Sequence, residues 1–100
     1  MKTELERLQA WYAAQCNGTW EHEFGIKIGT IDNPGWYVEI SLRETNCENT
    51  KWDPLKIDNG TENWISCFKK DGEFIGAGDT SKLAAIISYF LEQVADRRVK

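Results

Sequence analysis

The spacing of apolar residues changes twice along this chain of 100 residues, and the change limits what it can fold into. Near the start, apolar residues recur at steps of three and four, which predicts a helix over residues 3–16. From about residue 20 the step becomes two, as in a strand with one buried face. A second helical stripe follows near the end, formed by Leu83, Ile86, Ile87, Phe90, Leu91 and Val94. Basic residues come after it, where they would face the negative end of the helix dipole: Arg97, Arg98 and Lys100.

Three turn signals divide the middle of the chain: Asn33-Pro34-Gly35, Asn59-Gly60 and Asp71-Gly72. In the first, proline presets φ and the next glycine accepts positive φ, which predicts a type II turn. The other two are typical of hairpins. The signals bound five predicted strands, of which the last three cover about residues 51–58, 62–70 and 73–77. Pro54 places the first of these three at a sheet edge or bulge.

Short hairpins connect antiparallel neighbours, and a helix with one apolar stripe covers one face of a sheet. We therefore predict an α+β fold in which a five-stranded antiparallel meander is flanked by N- and C-terminal helices, both on one sheet face. Residues 1–100 form a single domain. Trp36 shares its strand face with Val38 and Ile40 and is expected to pack, whereas Tyr37 and Glu39 lie on the opposite, open face.

Composition narrows the class of protein. The longest apolar run, residues 83–87, is far shorter than the roughly 20 residues of a membrane-spanning helix, and the charged N-terminus lacks the apolar segment of a secretory signal. Cys16, Cys47 and Cys67 are odd in number and widely spaced, which suits neither a disulfide framework nor a metal site, so each is expected to be a small buried residue. These features predict a cytoplasmic protein that does not bind membranes.

The net charge of −4 is concentrated in the middle of the chain. Residues 17–66 hold nine acidic and four basic side chains, a local charge of −5. An acidic surface argues against nucleic-acid binding, which requires basic residues to neutralise phosphates. It favours a basic protein partner, although a charged surface that only keeps the chain in solution explains the charge equally well.

The sequence gives little support for catalytic activity or for a bound cofactor. His22 lies between Glu21 and Glu23, but neighbours in an extended segment point to opposite faces, so neither glutamate is placed to orient the imidazole. The cysteines and the histidine lack a recurrent metal-ligand spacing, and no glycine-rich phosphate loop occurs. We predict no catalytic residue, metal or cofactor. Aromatic residues beside charged ones on an open sheet face are typical of a protein-binding site.

The segment from Trp20-Glu21-His22 to Asp32-Asn33-Pro34-Gly35-Trp36, preceded by the helix with Trp11-Tyr12 and by Asn17-Gly18, resembles the immunity protein 53 family of bacterial polymorphic toxin systems. The resemblance is densest over residues 8–42. It implies a cytosolic immunity protein that binds and neutralises a cognate toxin domain. We expect the chain to be a monomer or weak homodimer.

Family pattern and surface chemistry together give a set of expected partner-binding residues: Trp20, Glu21, His22, Glu23, Asp32, Tyr37 and Glu39. Trp20, Glu21 and His22 are expected to lead into the first strand without a structural role, whereas Asn33, Pro34, Gly35 and Trp36 build the turn. Two alternatives remain open. One is a small enzyme or ligand-binding domain in which His22 converges with nearby carboxylates in a pocket, and the other is a structural domain or homodimer that uses an open face or edge strand.

Overall fold

The computed structural model of the chain describes residues 3–96. Within them lie the helices α1 (Glu4–Gln15), α2 (Trp20–Glu23) and α3 (Leu83–Phe90), the last continuing as a π-helical turn over Leu91–Ala95. The strands are β1 (Ile26–Ile31), β2 (Gly35–Ser41), β3 (Leu55–Asp58), β4 (Trp64–Lys70) and β5 (Glu73–Gly78). The predicted α+β fold is confirmed. The expectation for Arg97, Arg98 and Lys100 concerns residues outside the described range.

α1 begins where its sequence supplies a cap. The Thr3 hydroxyl accepts a hydrogen bond from the backbone N–H of Glu6 at 3.1 Å, and the Glu6 carboxylate accepts one from the backbone N–H of Thr3 at 3.0 Å. This reciprocal pair satisfies two N–H groups that a helix start leaves without partners. The helix ends at Gln15, shortly before Gly18 adopts a φ of 92°. No helix among residues 3–96 is long and apolar enough to cross a membrane.

The five strands form one antiparallel sheet in the order β1-β2-β5-β4-β3. A simple meander would place β3 beside β2. Instead, the connection over residues 42–54 carries the chain to the far edge, and two hairpins bring β5 back beside β2. A connection of that length can reach the far edge, which a tight hairpin turn cannot. β3 is an edge strand, as Pro54 predicts.

The hydrophobic core lies between α3 and the sheet face that carries Val38, Ile40 and Phe74, all fully buried. Gly76 lets α3 approach closely, because a Cβ on it would lie 2.4 Å from Cγ2 of Ile86. α1 packs against α3 and the π-helical turn, with the ring of Trp11 edge-on to that of Phe90 at 5.0 Å. Both terminal helices therefore lie on one side of the sheet.

The turns correct one prediction and refine another. The Asn33–Pro34 peptide bond is cis and Gly35 does not have positive φ, so the type II prediction is wrong. Gly35 instead begins β2, where a Cβ would lie only 2.3 Å from the carbonyl oxygen of Gly78. Asp71 and Gly72 have φ of 53° and 80°, which confirms the tight hairpin there. At Asn59-Gly60 only the glycine has positive φ, within a longer turn.

Candidate functional site: an open sheet face and an edge groove

The sheet face turned away from the helices is not covered by any helix of residues 3–96. Strand register places Glu39 opposite Ile75, and Ile75 opposite Phe68 on the next strand. A second row runs through Tyr37, Ala77 and Ser66. Phe68 remains 39% exposed, and most of the other side chains are half-buried. We call this surface, defined by Tyr37, Glu39, Ser66, Phe68, Glu73, Ile75 and Ala77, the open face.

Two carboxyl groups crowd together at one end of the open face. The pKa of Glu73 is raised because its carboxyl shares a hydrogen bond with Glu39, because it is partly desolvated, and because Glu39 is negatively charged. Arg43 and Lys27 oppose this shift only in part. Burial raises the pKa of Tyr37, and the nearby charge of Glu39 and a hydrogen bond to it raise it further. Lys27 lies opposite Glu39 and Lys70 opposite Glu73 in the strand register, so this end of the surface carries charges of both signs.

A concave groove of about 630 Å³ lies beside β1 and joins the open face at Glu39 and Glu73. One wall is formed by α1, including Leu5 and Tyr12, which are 58% and 38% exposed. Ile28 of β1, 42% exposed, also lines it. We call this concavity, between α1, α2 and the outer side of β1, the edge groove. Exposed apolar side chains in a groove with a polar rim are typical of an interaction site.

The segment before β1 has structural roles that its sequence does not reveal. Trp20–Glu23 form one helical turn, α2, and the expectation that Trp20 and Glu21 have no structural role is wrong. Trp20 is only 2% exposed, and its indole Nε1 donates a hydrogen bond to the carbonyl oxygen of Arg43 at 2.9 Å. The Trp20 ring therefore packs inside the domain and is not available at the surface for a partner.

Glu21 closes the turn between α1 and α2. Its carboxylate accepts hydrogen bonds from the backbone N–H groups of Asn17 at 2.9 Å and Gly18 at 2.8 Å. Hydrogen bonds from backbone N–H groups, its own and those of these two residues, lower the pKa of Glu21. The side chain is therefore engaged within the chain, and the residues that face the groove are the next two, His22 and Glu23.

The structure brings some of the expected partner-binding residues together and separates others. His22, Glu23 and Glu39 line the edge groove, and Tyr37 lies next to Glu39 on the open face. Asp32 lies in the turn at the opposite end of β1. Of the carboxylates that an enzyme could use with His22, Glu23 lines the same groove, whereas the Glu21 carboxylate is bonded to the backbone of the turn before α2. Within residues 3–96, no side-chain hydrogen bond orients the imidazole of His22.

Several residues of the two surfaces were missed from sequence. Leu5 and Tyr12 share the helical spacing of the apolar residues in α1, yet both are exposed and Leu8 is the buried member. Phe68 and Ile75 carried a usable signal, because each is an apolar residue directly beside a core-facing one in a strand. Consecutive strand residues face opposite sides, so one of each pair must point away from the core. Glu73 carried no signal of this kind.

The cysteines divide by environment. Cys47 and Cys67 are buried, as expected, but Cys16 is exposed at the end of α1. Burial raises the pKa of the Cys67 thiol to about 12. Among the side chains of residues 3–96, no group of three or more histidine, cysteine or acidic residues is arranged to hold a metal ion.

Comparison with known proteins gives one match. The family model described as Immunity protein 53 matches residues 5–95, a span that includes all five strands and nearly all of α1. No curated protein and no solved structure matches the chain.

Proposed function

The chain belongs to the immunity protein 53 family, and on that premise we propose that it neutralises a cognate bacterial toxin by covering the toxin's active or functional surface. The proposed contact surface is the open face. The chain would act in the cytoplasm of the producing cell, as a monomer or weak homodimer, without nucleic acid, membrane or cofactor.

The observation that carries this proposal is the open face itself. A five-stranded sheet packed by helices on one side leaves Phe68, Ile75 and Tyr37 at the surface of the other. Apolar and aromatic side chains in the middle of a polar rim are the usual composition of a protein–protein interface. Binding energy in such interfaces is concentrated in a few central residues, and Phe68 with its neighbour Ile75 occupies that position here.

Charge also favours a basic partner. Charged side chains of both signs lie at one end of the open face, and the chain as a whole has a net charge of −4. A basic surface on the toxin would be drawn to the chain, which speeds encounter and makes the association rate fall with salt. Rapid capture suits a protein that must act on a toxin before the toxin reaches its target.

The test is coexpression with the toxin domain encoded immediately upstream of this gene. Phe68→Asp places a charge on the open face, and Ile57→Asp is a matched control because Ile57 is similarly exposed, at 42%, on the opposite sheet face. We expect wild type and Ile57→Asp to protect cells, and Phe68→Asp to protect poorly. The dissociation constant of Phe68→Asp should rise by about tenfold or more.

Two results would contradict the proposal at different levels. If cells die equally with and without the wild-type chain, it does not neutralise that toxin. If Phe68→Asp folds and protects as well as Ile57→Asp does, the toxin is neutralised through another surface. Circular dichroism of both variants establishes that they are folded.

A further inference from the structure

β1 is an edge strand with backbone groups available for pairing. Within residues 3–96 its one strand partner is β2. The carbonyl oxygen of Gly25 accepts a hydrogen bond from the backbone N–H of Ser41 at 3.0 Å, just before β1 begins. Residues in an antiparallel ladder alternate between bonding to the neighbour and pointing away from it. The N–H and C=O groups that point outward are therefore those of Ile26, Ile28 and Thr30.

The surroundings of this edge differ on its two sides. A further strand beside β1 would direct alternate side chains toward the helices and toward the open face. On the helix side it would meet the exposed apolar groups of Leu5 and Tyr12. On the other side its nearest neighbours on β1 are Lys27 and Gly29, and Glu39 lies one strand further in, opposite Lys27. The groove thus fits a segment in which apolar residues alternate with polar ones.

The other edge of the sheet is built differently. β3 has four residues against six in β1, and Pro54 immediately precedes it. Short edge strands and proline are devices by which proteins discourage the pairing of further strands. β1 contains no proline, and Lys27 is its single charged residue.

We propose that the edge groove receives an extended segment of the toxin, with alternating apolar and polar residues, as a sixth strand antiparallel or parallel to β1. This inference rests on the proposed function, because it takes the partner to be the toxin that the chain neutralises. Backbone pairing along β1 supplies affinity, and the apolar side of the groove selects the segment.

Amide hydrogen exchange measured by NMR tests the pairing directly, with the purified upstream toxin domain as probe. In the free chain the amides of Ile26, Ile28 and Thr30 should exchange rapidly, whereas those of Lys27 and Gly29 are bonded to β2. In the complex the three outward amides should become protected by about tenfold or more, and the inward ones should change little. That alternation is expected from strand addition and not from contact through side chains alone.

Proline substitution gives a second test. Ile28→Pro removes an outward N–H and leaves the bonds to β2 in place, because proline is tolerated where an edge-strand N–H faces solvent. Ile28→Val keeps the N–H and a branched side chain. Lys56→Pro is the matched control on β3, where the bond from Asn59 N–H to Asn63 places the N–H of Lys56 outward as well. We expect the dissociation constant to rise by about tenfold for Ile28→Pro and to change little for the other two.

The outcomes separate this inference from the proposed function. If the toxin binds but leaves the amides of Ile26, Ile28 and Thr30 unprotected, the sixth strand is wrong while the immunity function stands. If these amides are already protected in the free chain and light scattering shows a dimer, a second copy occupies the edge and the inference is overturned. If the toxin does not bind at all, both proposals fail.

Discussion

The indole Nε1 of Trp20 donates a hydrogen bond to the carbonyl oxygen of Arg43, which is 2.9 Å away and 23 residues later in the chain. The Arg43 guanidinium in turn donates to the carbonyl oxygen of Asp71 at 2.6 Å and 3.1 Å. These bonds join α2, the end of β2 and the β4–β5 turn. Because α2 is held at that point, His22 and Glu23 are positioned over the edge groove.

Replacement of Trp20 by phenylalanine is expected to destabilise the domain. The ring would still fill most of the site, but the Arg43 carbonyl would lose its hydrogen bond in a part-buried place. The free energy of unfolding should fall by about 1–3 kcal/mol. Urea unfolding measures it, and Trp64→Phe, on a half-buried ring outside the core, should have a smaller effect. Equal losses for the two variants would contradict the structural role of Trp20.

Replacement of Gly76 by alanine should also destabilise the fold. Its Cβ would lie 2.4 Å from Cγ2 of the fully buried Ile86, so α3 or β5 must shift. Overpacking of this kind costs about 1–3 kcal/mol. Gly29→Ala is the matched strand control, because nothing lies within 4 Å of its Cβ. Thermal unfolding of both variants should show a lower midpoint for Gly76→Ala alone.

Asp79 should make the stability of the fold depend on pH under acidic conditions. Its carboxylate accepts hydrogen bonds from Lys82, Ser81 and the backbone N–H of Trp64, which hold its pKa well below the usual range. A lowered pKa stabilises the fold above the ordinary carboxyl pKa, and the effect is lost as pH falls toward the folded value. The urea midpoint of Asp79→Asn should lie below that of wild type at pH 7, and the gap should narrow on acidification. Asp58→Asn, on an exposed edge side chain, serves as the control.

Glu73 should have the opposite pH dependence. Its raised pKa means that the folded chain holds the proton more tightly than the unfolded chain does. Protonation of Glu73 therefore stabilises the fold at low pH. It is lost as pH rises through the folded pKa and the carboxylate ionises beside Glu39. We expect Glu73→Gln to gain stability relative to wild type between mildly acidic and neutral pH. A gap in urea midpoint that stays constant with pH would show that the two carboxyls do not interact.

The three thiols should react at very different rates. Cys16 is exposed, whereas Cys47 and Cys67 are buried and burial raises the pKa of Cys67 to about 12. Thiolate is the reactive form, so Cys67 should resist a thiol reagent at pH 8 until the domain unfolds. Labelling with a chromogenic disulfide should show one fast thiol in native buffer and three in denaturant. Cys16→Ser should remove the fast reaction, and rapid labelling of a second thiol would contradict the burial of the core cysteines.

Local sequence patterns were sufficient for the two terminal helices and the five strands, but not for α2. The spacing of Ile86, Phe90 and Val94 predicted the last helix, and the alternation around Val38 predicted β2, because a single buried face imposes one period on neighbouring residues. The same reasoning placed Tyr37 and Glu39 on the open side of the sheet. These features depend only on residues close together in the chain.

The tertiary structure decided the strand order, and with it the two candidate surfaces. Glu39 meets Glu73 only because β5 returns beside β2, and Ile28 faces a groove only because β1 is left at an edge. Leu5 and Tyr12 fit a helical stripe, but α1 packs beside α3 and not flat on the sheet, so part of the stripe stays exposed. Such pairings join residues far apart in sequence, and the periodicity of a single segment holds no information about which distant segment it will meet.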